Sequence, residues 1–404
     1  MSLTRRRFLQ NSSAVAFGVG LPEFFRRAAL AAPDAAVGGS RETILVVVEL
    51  TGGNDGLNTV IPFRDPAYAA ARPTLKQPAA TIRKIDEELG FHPSMQAFSK
   101  LLEDSKLAIV QGVGYPNPNR SHFESMDIWH KATAAREQQY GWLGRTAPRL
   151  EPGGAMHVGG GEPPLALFGT SGHAPSLHSL EQYQLRVGGD EARKRAIIEK
   201  QATVTAGGDD LLQFVRSSAR QTYASAERLR EVAKSYETPI SYPGTGLGSR
   251  LKLIAQLIDA GVPERVYYTS HGGFDTHAAQ QEIHARLLQE FSEAVAAFVE
   301  DVSHHGHGRR VLVLTFSEFG RRVRENGSQG TDHGVASQMF LVGDTVKPGL
   351  IGEHPSLTDL DSGDLKFHTD FRSVYATVLD EWLGVRSTDV LGGEYPRVDL
   401  LARG

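Results

Sequence analysis

Apolar residues gather in five short runs: ETILVVVEL (42–50), KLAIVQGV (106–113), ERVYYTSHGG (264–273), RVLVLTF (310–316) and QMFLVG (338–343). Each run is near-continuous rather than alternating, the pattern of a strand buried on both faces of a sheet. Between them apolar residues recur at three- and four-residue spacing, which predicts helices. The segments are SMQAFSKLLEDS, HFESMDIWHKATAA, DLLQFVRSSARQTYASAERLREVAKS (210–235), LGSRLKLIAQLIDAG, AQQEIHARLLQEFSEAVAAFVEDV and TDFRSVYATVLDEWLG. Strands alternating with helices predict an α/β fold, a doubly wound and mainly parallel sheet with helices on both faces. A Gly- and Pro-rich stretch from about 151 to 187 breaks the rhythm and reads as an insertion or cap within a single domain over 42–400.

The 404 residues, 40% hydrophobic, are ample for a large core. The chain has no cysteine, which excludes disulfides, thiolate metal sites and a cysteine nucleophile. Any metal must therefore be held by His, Asp, Glu or Asn. The N-terminus runs LTRRRFLQNSSAVAFGVGL into AALAAPDAA. Paired arginines, a mildly apolar stretch and a small-residue end occur in the order of a twin-arginine export signal over residues 1–31. That implies a twin-arginine translocase as export partner and a periplasmic or secreted location. Removing the leader takes five Arg and one Glu with it, so a chain already at formal charge −4 becomes more acidic, which argues against nucleic acid as a partner. No later run approaches the about 18 apolar residues of a membrane span.

In a doubly wound sheet ligands bind beyond the carboxyl ends of the strands, so the residues just after each run carry the chemistry. After the first comes TGGNDG, a glycine turn that puts Asn54 and Asp55 at the rim; turn chemistry explains these residues as well as a ligand role does. After the second, a helix is expected to start at Ser121. That serine fits an N-cap boxed by Glu124, or a nucleophile aided by helix N–H groups, Arg120 and His122. After the third, Asp275 is placed to cap a helix with His277 in its first turn. His284 lies roughly 10 Å further along and is too far to share an ion with His277. Asp275 and His277 are therefore the better-placed metal pair, though a helix cap and a surface histidine account for the same two residues. After the fourth, SEFGRRVRENGSQGTDHG supplies Glu318, the arginines Arg321, Arg322 and Arg324, and the Asp332–His333 pair among Gly327, Gly330 and Gly334. Oxygen and nitrogen ligands suit Zn, Mn, Fe or Ca, and the arginines suit an anionic phosphate or sulfate ester.

The stretches GGNDGLNTVIP, GYPNPNRSHFESMDIW, DTHAAQ, SEFGRR, GTDHG and DFRSVYATVLDEWLG, spread over about 45–384, resemble the alkaline phosphatase-like superfamily. More closely they resemble a domain-of-unknown-function family, number 1501, of twin-arginine exported proteins within it. The resemblance implies Asp55 as a first metal carboxylate and Ser121 as nucleophile. Asp275, His277, Glu318, Asp332 and His333 would be metal ligands, His122 a catalytic neighbour, and Asn54, Arg120, Arg321 and Arg322 substrate contacts. Phe319 follows Glu318 where that pattern has a ligand histidine, which leaves one metal or two open. The implied activity is metal-dependent hydrolysis or transfer of phosphate or sulfate esters. The alternative is a non-catalytic binding or assembly protein of the periplasm or cell surface. A plain serine hydrolase lacks any GxSxG elbow here.

Overall fold

The computed structural model describes residues 42–150, 153–170, 172–179 and 235–402. The expected leader and nearly all of the helix expected over 210–235 lie outside the described residues. The five apolar runs form the centre of a nine-stranded sheet. Its strands are β1 (Ile44–Thr51), β2 (Leu107–Gly114), β3 (Ala155–Val158), β4 (Ser176–Leu177), β5 (Val266–Gly272), β6 (Val311–Phe316), β7 (Ser337–Val342), β8 (Gly349–Ile351) and β9 (Thr369–Asp370). The order is β8-β2-β7-β6-β1-β5-β3-β4, with β9 also on β2. All pairings are parallel except those of β7, which runs antiparallel to both β6 and β2. The Gly/Pro-rich stretch thus supplies β3 and β4, one edge of the sheet.

Alternate residues of the central strands enter two cores, which is why the runs are continuously apolar. Val46, Val48, Tyr267, Val313 and Phe340 pack against helices α1 (Gln96–Glu103), α3 (Gly246–Asp259) and α4 (Gln280–His304). Leu45, Val47, Tyr268, Leu314 and Leu341 face α2 (His122–Lys131) and α5 (Phe371–Thr377). Among the described residues no helix is long and apolar enough to cross a membrane.

Two local features set the site. Trp129 of α2 lies flat between Phe316 (centroids 5.2 Å) and Phe371 (4.2 Å), which fixes the helix over the carboxyl ends of the strands. Helix α4 does not begin at Asp275, as the sequence suggested, but at Gln280. Its first N–H groups are taken by the loop after β6, through Ala279 N to Ser328 O (3.1 Å) and Gln280 N to Gln329 O (2.9 Å). Residues 274–279 consequently lie outside the helix, which lets Asp275 and His277 turn outward while Phe274 and Thr276 stay buried.

Candidate metal centre

The side chains after β2, β5 and β6 meet at one point. Asp275 Oδ1 is approached by His277 Nε2 (3.1 Å), His333 Nε2 (3.2 Å) and His122 Nε2 (3.4 Å). Each imidazole is oriented through its other nitrogen. His122 Nδ1 is 2.8 Å from Glu318 Oε1, His333 Nδ1 is 2.7 Å from the Arg120 carbonyl, and His277 Nδ1 is 3.4 Å from Asp332 Oδ1. Acceptors behind Nδ1 set the tautomer that leaves Nε2 facing inward. His122 Nε2 is buried and has no hydrogen-bond partner, while His277 and His333 turn Nε2 atoms toward each other at 2.9 Å. Ligand atoms of His122, Asp275 and His333 all lie within 4.8 Å of one another. An orphaned ring nitrogen beside a carboxylate oxygen and further imidazoles is a donor set that fits a divalent cation.

Electrostatics favour the ionised carboxylates. Burial pushes Asp275 up, but the hydrogen bond from Arg321, the contact with His333 and the nearby cationic charge outweigh it and bring its pKa down to about 2. Glu318 is also raised by burial, yet His122 and the backbone N–H groups of Gly52 and Gly53 hold it below the usual range. His122 is raised, chiefly by its bond to Glu318, and His333 is lowered, chiefly by burial. Asp332, bonded by Asn326, is lowered.

The framework requires close backbone approach. Gly52 has φ +113°, and a Cβ there would lie 2.4 Å from the Asp275 nitrogen. A Cβ on Gly330 would lie 2.2 Å from the His277 carbonyl carbon. Phe319 forms an aromatic floor under His122 (centroids 4.9 Å) and His333 (4.7 Å), so the residue standing in place of a ligand histidine packs the two imidazoles.

Several expected site residues lie elsewhere. Asp55 is fully buried, forms a two-point ion pair with Arg72 (2.5 and 3.0 Å) and accepts from Gln280, so its oxygens are already taken. Asn54 is buried too, between Thr59 (3.0 Å) and His284 (2.9 Å), and does not face the cleft. His284 is itself a core residue. Arg321 is 1% exposed and donates to the carbonyls of Gly53, Thr331, Gly52 and Phe274 and to Asp275. It ties the loops after β1, β5 and β6 together and does not face a substrate. Arg120 pairs with Asp364, and Arg322 lies 3.8 Å from the same residue. Depth explains these differences: strand-end position is readable in sequence, but the direction of the side chain is not.

Ser121 is the N-cap residue of α2, but its side chain makes no capping bond, so the capping box does not form and the exposed hydroxyl stays available. It is flanked by Arg120, whose carbonyl holds His333, and by His122. A cleft of about 530 Å³ opens beside His122, its walls including Glu49, His122, Phe123, His130, Asp275 and Glu318 but not Ser121. Glu49 and His130 were not anticipated. The available signals were a lone acid in ILVVVELT and the four-residue stripe His122, Met126, His130.

No curated protein matches the chain by sequence. It is similar in structure to the sulfatase PsFucS1 from Pseudoalteromonas sp. (12% identity, 94% of this chain and 77% of that one, TM-score 0.38). Others are the zinc complex of the C-terminal periplasmic domain of EcEptC from Escherichia coli (9%, 76% and 74%, 0.35) and the lipoteichoic acid synthase LtaP from Listeria monocytogenes (8%, 88% and 76%, 0.34). A family model matches residues 42–385, and the chain belongs to that family, described as Protein of unknown function (DUF1501).

Proposed function

We propose that the protein is an exported, metal-dependent hydrolase, or a related transferase, acting on phosphate or sulfate esters through Ser121. The observation that carries the reading is the convergence of three imidazole Nε2 atoms on Asp275 Oδ1, with each Nδ1 held from behind. His122, Asp275, His277 and His333 would hold a divalent cation, zinc or manganese by donor type, with Glu318 and Asp332 orienting two of the rings. When bound, the ion supplies Lewis-acid polarisation of the ester and eases ionisation of a nearby hydroxyl. Calcium, weighed on the sequence, suits three imidazoles less well because it prefers oxygen ligands.

Within this scheme the chain's own groups do the positioning. Helix α2 presents Ser121 at its N-terminus, where N–H groups and the helix dipole favour an anionic ester. Arg120, next to Ser121 and partly exposed although paired with Asp364, is the cation that would meet the ester's outer oxygens. Ser121 Oγ forms the new bond to phosphorus or sulfur as the ester's alcohol leaves, and water then releases the serine. The leader over residues 1–31 would send the protein through the twin-arginine translocase.

Purified mature protein is expected to carry stoichiometric metal. Ser121→Ala is expected to keep that metal while losing turnover of 4-nitrophenyl phosphate or sulfate. Metal-free protein from zinc-, manganese- and calcium-supplemented preparations would falsify the reading. A second reading, a non-catalytic binding or assembly protein that keeps one ion, draws support from the engagement of Arg120, Arg321 and Arg322 within the protein. Under it Ser121→Ala leaves function intact, and alanine at Asp332 or His333 mainly lowers thermal stability.

A further inference from the structure

The cleft beside the proposed centre is longer than a metal site needs. It shares His122 and Asp275 with that centre and reaches His130, which lies about 12 Å further along the axis of α2. Its wall changes in character on the way. Phe123 and Met126, neighbours on one face of the helix, line it next to His122, and Phe123 is 88% exposed. An aromatic ring held in water at the lip of a cleft gains by covering an apolar group.

The far end is polar. Glu49, the only charged residue of β1, turns to the α2 side with Leu45 and Val47. Its Oε2 meets His130 Nε2 at 2.8 Å and accepts from the Tyr268 hydroxyl. Burial and the Glu49 charge push Tyr268 well above its ordinary range, so that hydroxyl keeps its proton. His130 Nε2 therefore faces only acceptors, the carboxylate and the Tyr268 oxygen at 3.2 Å, and carries the proton of the neutral ring. Two lone-pair atoms, Glu49 Oε1 and His130 Nδ1, are left with no hydrogen bond among the described residues. Both residues are buried, yet neither atom is among the buried polar atoms that lack a partner, so each opens on the cleft.

A buried carboxylate paired with a histidine is by itself ordinary core structure. This pair differs in turning one free acceptor from each partner to a cleft, where a donor must satisfy it. Paired acceptors call for a group rich in N–H, and beside a carboxylate that group is a cation. Asp127, also on this wall, is paired with Lys131 at 3.1 Å and leaves the local balance unchanged.

We infer that the far end of the cleft binds a primary ammonium carried by the alcohol portion of the substrate. Glu49 and His130 are then specificity-determining residues, and Phe123 and Met126 cover the aliphatic spacer. The inference rests on the reading that the centre takes a phosphate or sulfate ester, and not on which group attacks that ester. Distance matters as much as charge. An ester at His122 and Asp275 and an ammonium at Glu49 stand several carbon–carbon bonds apart, so a short amino alcohol does not span them.

The test uses metal-loaded protein and pairs of esters that differ only at the distal end. The long pair is 6-aminohexyl and hexyl phosphate and the short pair 2-aminoethyl and ethyl phosphate, with the matching sulfates if phosphates are not cleaved. Wild type is expected to favour the aminohexyl over the hexyl ester by about 10-fold or more in kcat/KM, as one charged hydrogen bond would give, and to show no such preference in the short pair. Glu49→Gln is expected to bring the long-pair ratio close to one, whereas general damage to the fold lowers both esters alike and leaves the ratio. Should that variant not fold, the spacer dependence in wild type decides by itself. Equal cleavage of the long pair, an equal gain from 6-hydroxyhexyl phosphate, or a ratio unchanged by Glu49→Gln overturns the inference while leaving the metal-dependent activity standing. If metal-loaded protein cleaves none of these esters, the hydrolase reading fails, and the same ratio read as binding by calorimetry decides the inference.

Discussion

Two aspartates, each facing an arginine, stand at the rim of the same sheet and have opposite fates. Asp55 lies at full depth, with both oxygens engaged by Arg72 and Gln280. Asp275 is half-exposed, and its contacts from Arg321, His122, His277 and His333 all fall on Oδ1. The first is a satisfied buried network, whose role is to hold the turn after β1 to α4 and to the residues around 72. The second gathers three imidazoles whose Nδ1 acceptors leave their Nε2 lone pairs facing one carboxylate oxygen, a set of ligand atoms that a divalent cation would fit.

The largest expected effect separates the two by stability. Arg72→Met leaves Asp55 charged and unpaired in the core and is expected to cost about 3–5 kcal/mol by urea titration, whereas Asp275→Asn in metal-free protein should cost less than about 1 kcal/mol. Comparable losses at both positions would erase the distinction. Next comes acid sensitivity. Burial lowers His284, which neighbours the Asp55 network, to about 3, and lowers His92 to about 4. The unfolded chain takes up these protons near the ordinary value of about 6.5 while the folded one refuses them. Their contribution to stability is therefore complete above about pH 6.5 and falls as pH drops from there toward 4, by up to about 1.4 kcal/mol per pH unit for each histidine. A stability flat between pH 6.5 and 4.5 would mean that His284 reaches solvent. The smallest effect probes the other side: Glu318→Gln loosens the hold on His122 and is expected to weaken metal binding about 10- to 100-fold in a chelator competition. Unchanged affinity would remove His122 from the ligand set.

Much of the fold was legible because the strands are short, apolar and separated by amphipathic helices. All five runs became strands within one or two residues of their predicted ends, and the mainly parallel arrangement followed from alternation. Asp275, His277, Asp332 and His333 were legible as a group because each follows a strand at the carboxyl edge. Asn54, Asp55 and Arg321 satisfy the same rule and yet turn inward, since spacing along the chain carries no information on which polar side chain finds a buried partner, whether 17 residues away, as Arg72 is from Asp55, or 225, as Gln280 is. Arg72, the partner of Asp55, stands in an ordinary-looking PAYAAARP segment that offered no such signal. His122 was legible as a neighbour of Ser121, but the Glu318 contact that orients it joins positions 196 residues apart.

The central strand has a further consequence, for the order in which the molecule can be made. Leu45 of β1 pairs with Val266 and Ile44 with Val311, so β1, the first strand among the described residues, has no neighbour in the sheet until most of the chain has emerged. Contacts so distant in sequence close slowly, because loop entropy is lost before any pairing offsets it. His122 must likewise wait for residues 275 to 333 before its ring has anything to face. If the proposed centre binds metal, a ribosome-bound or truncated chain ending before about residue 333 would hold no cation at this point, and metal capture would be a late event that reports completed folding.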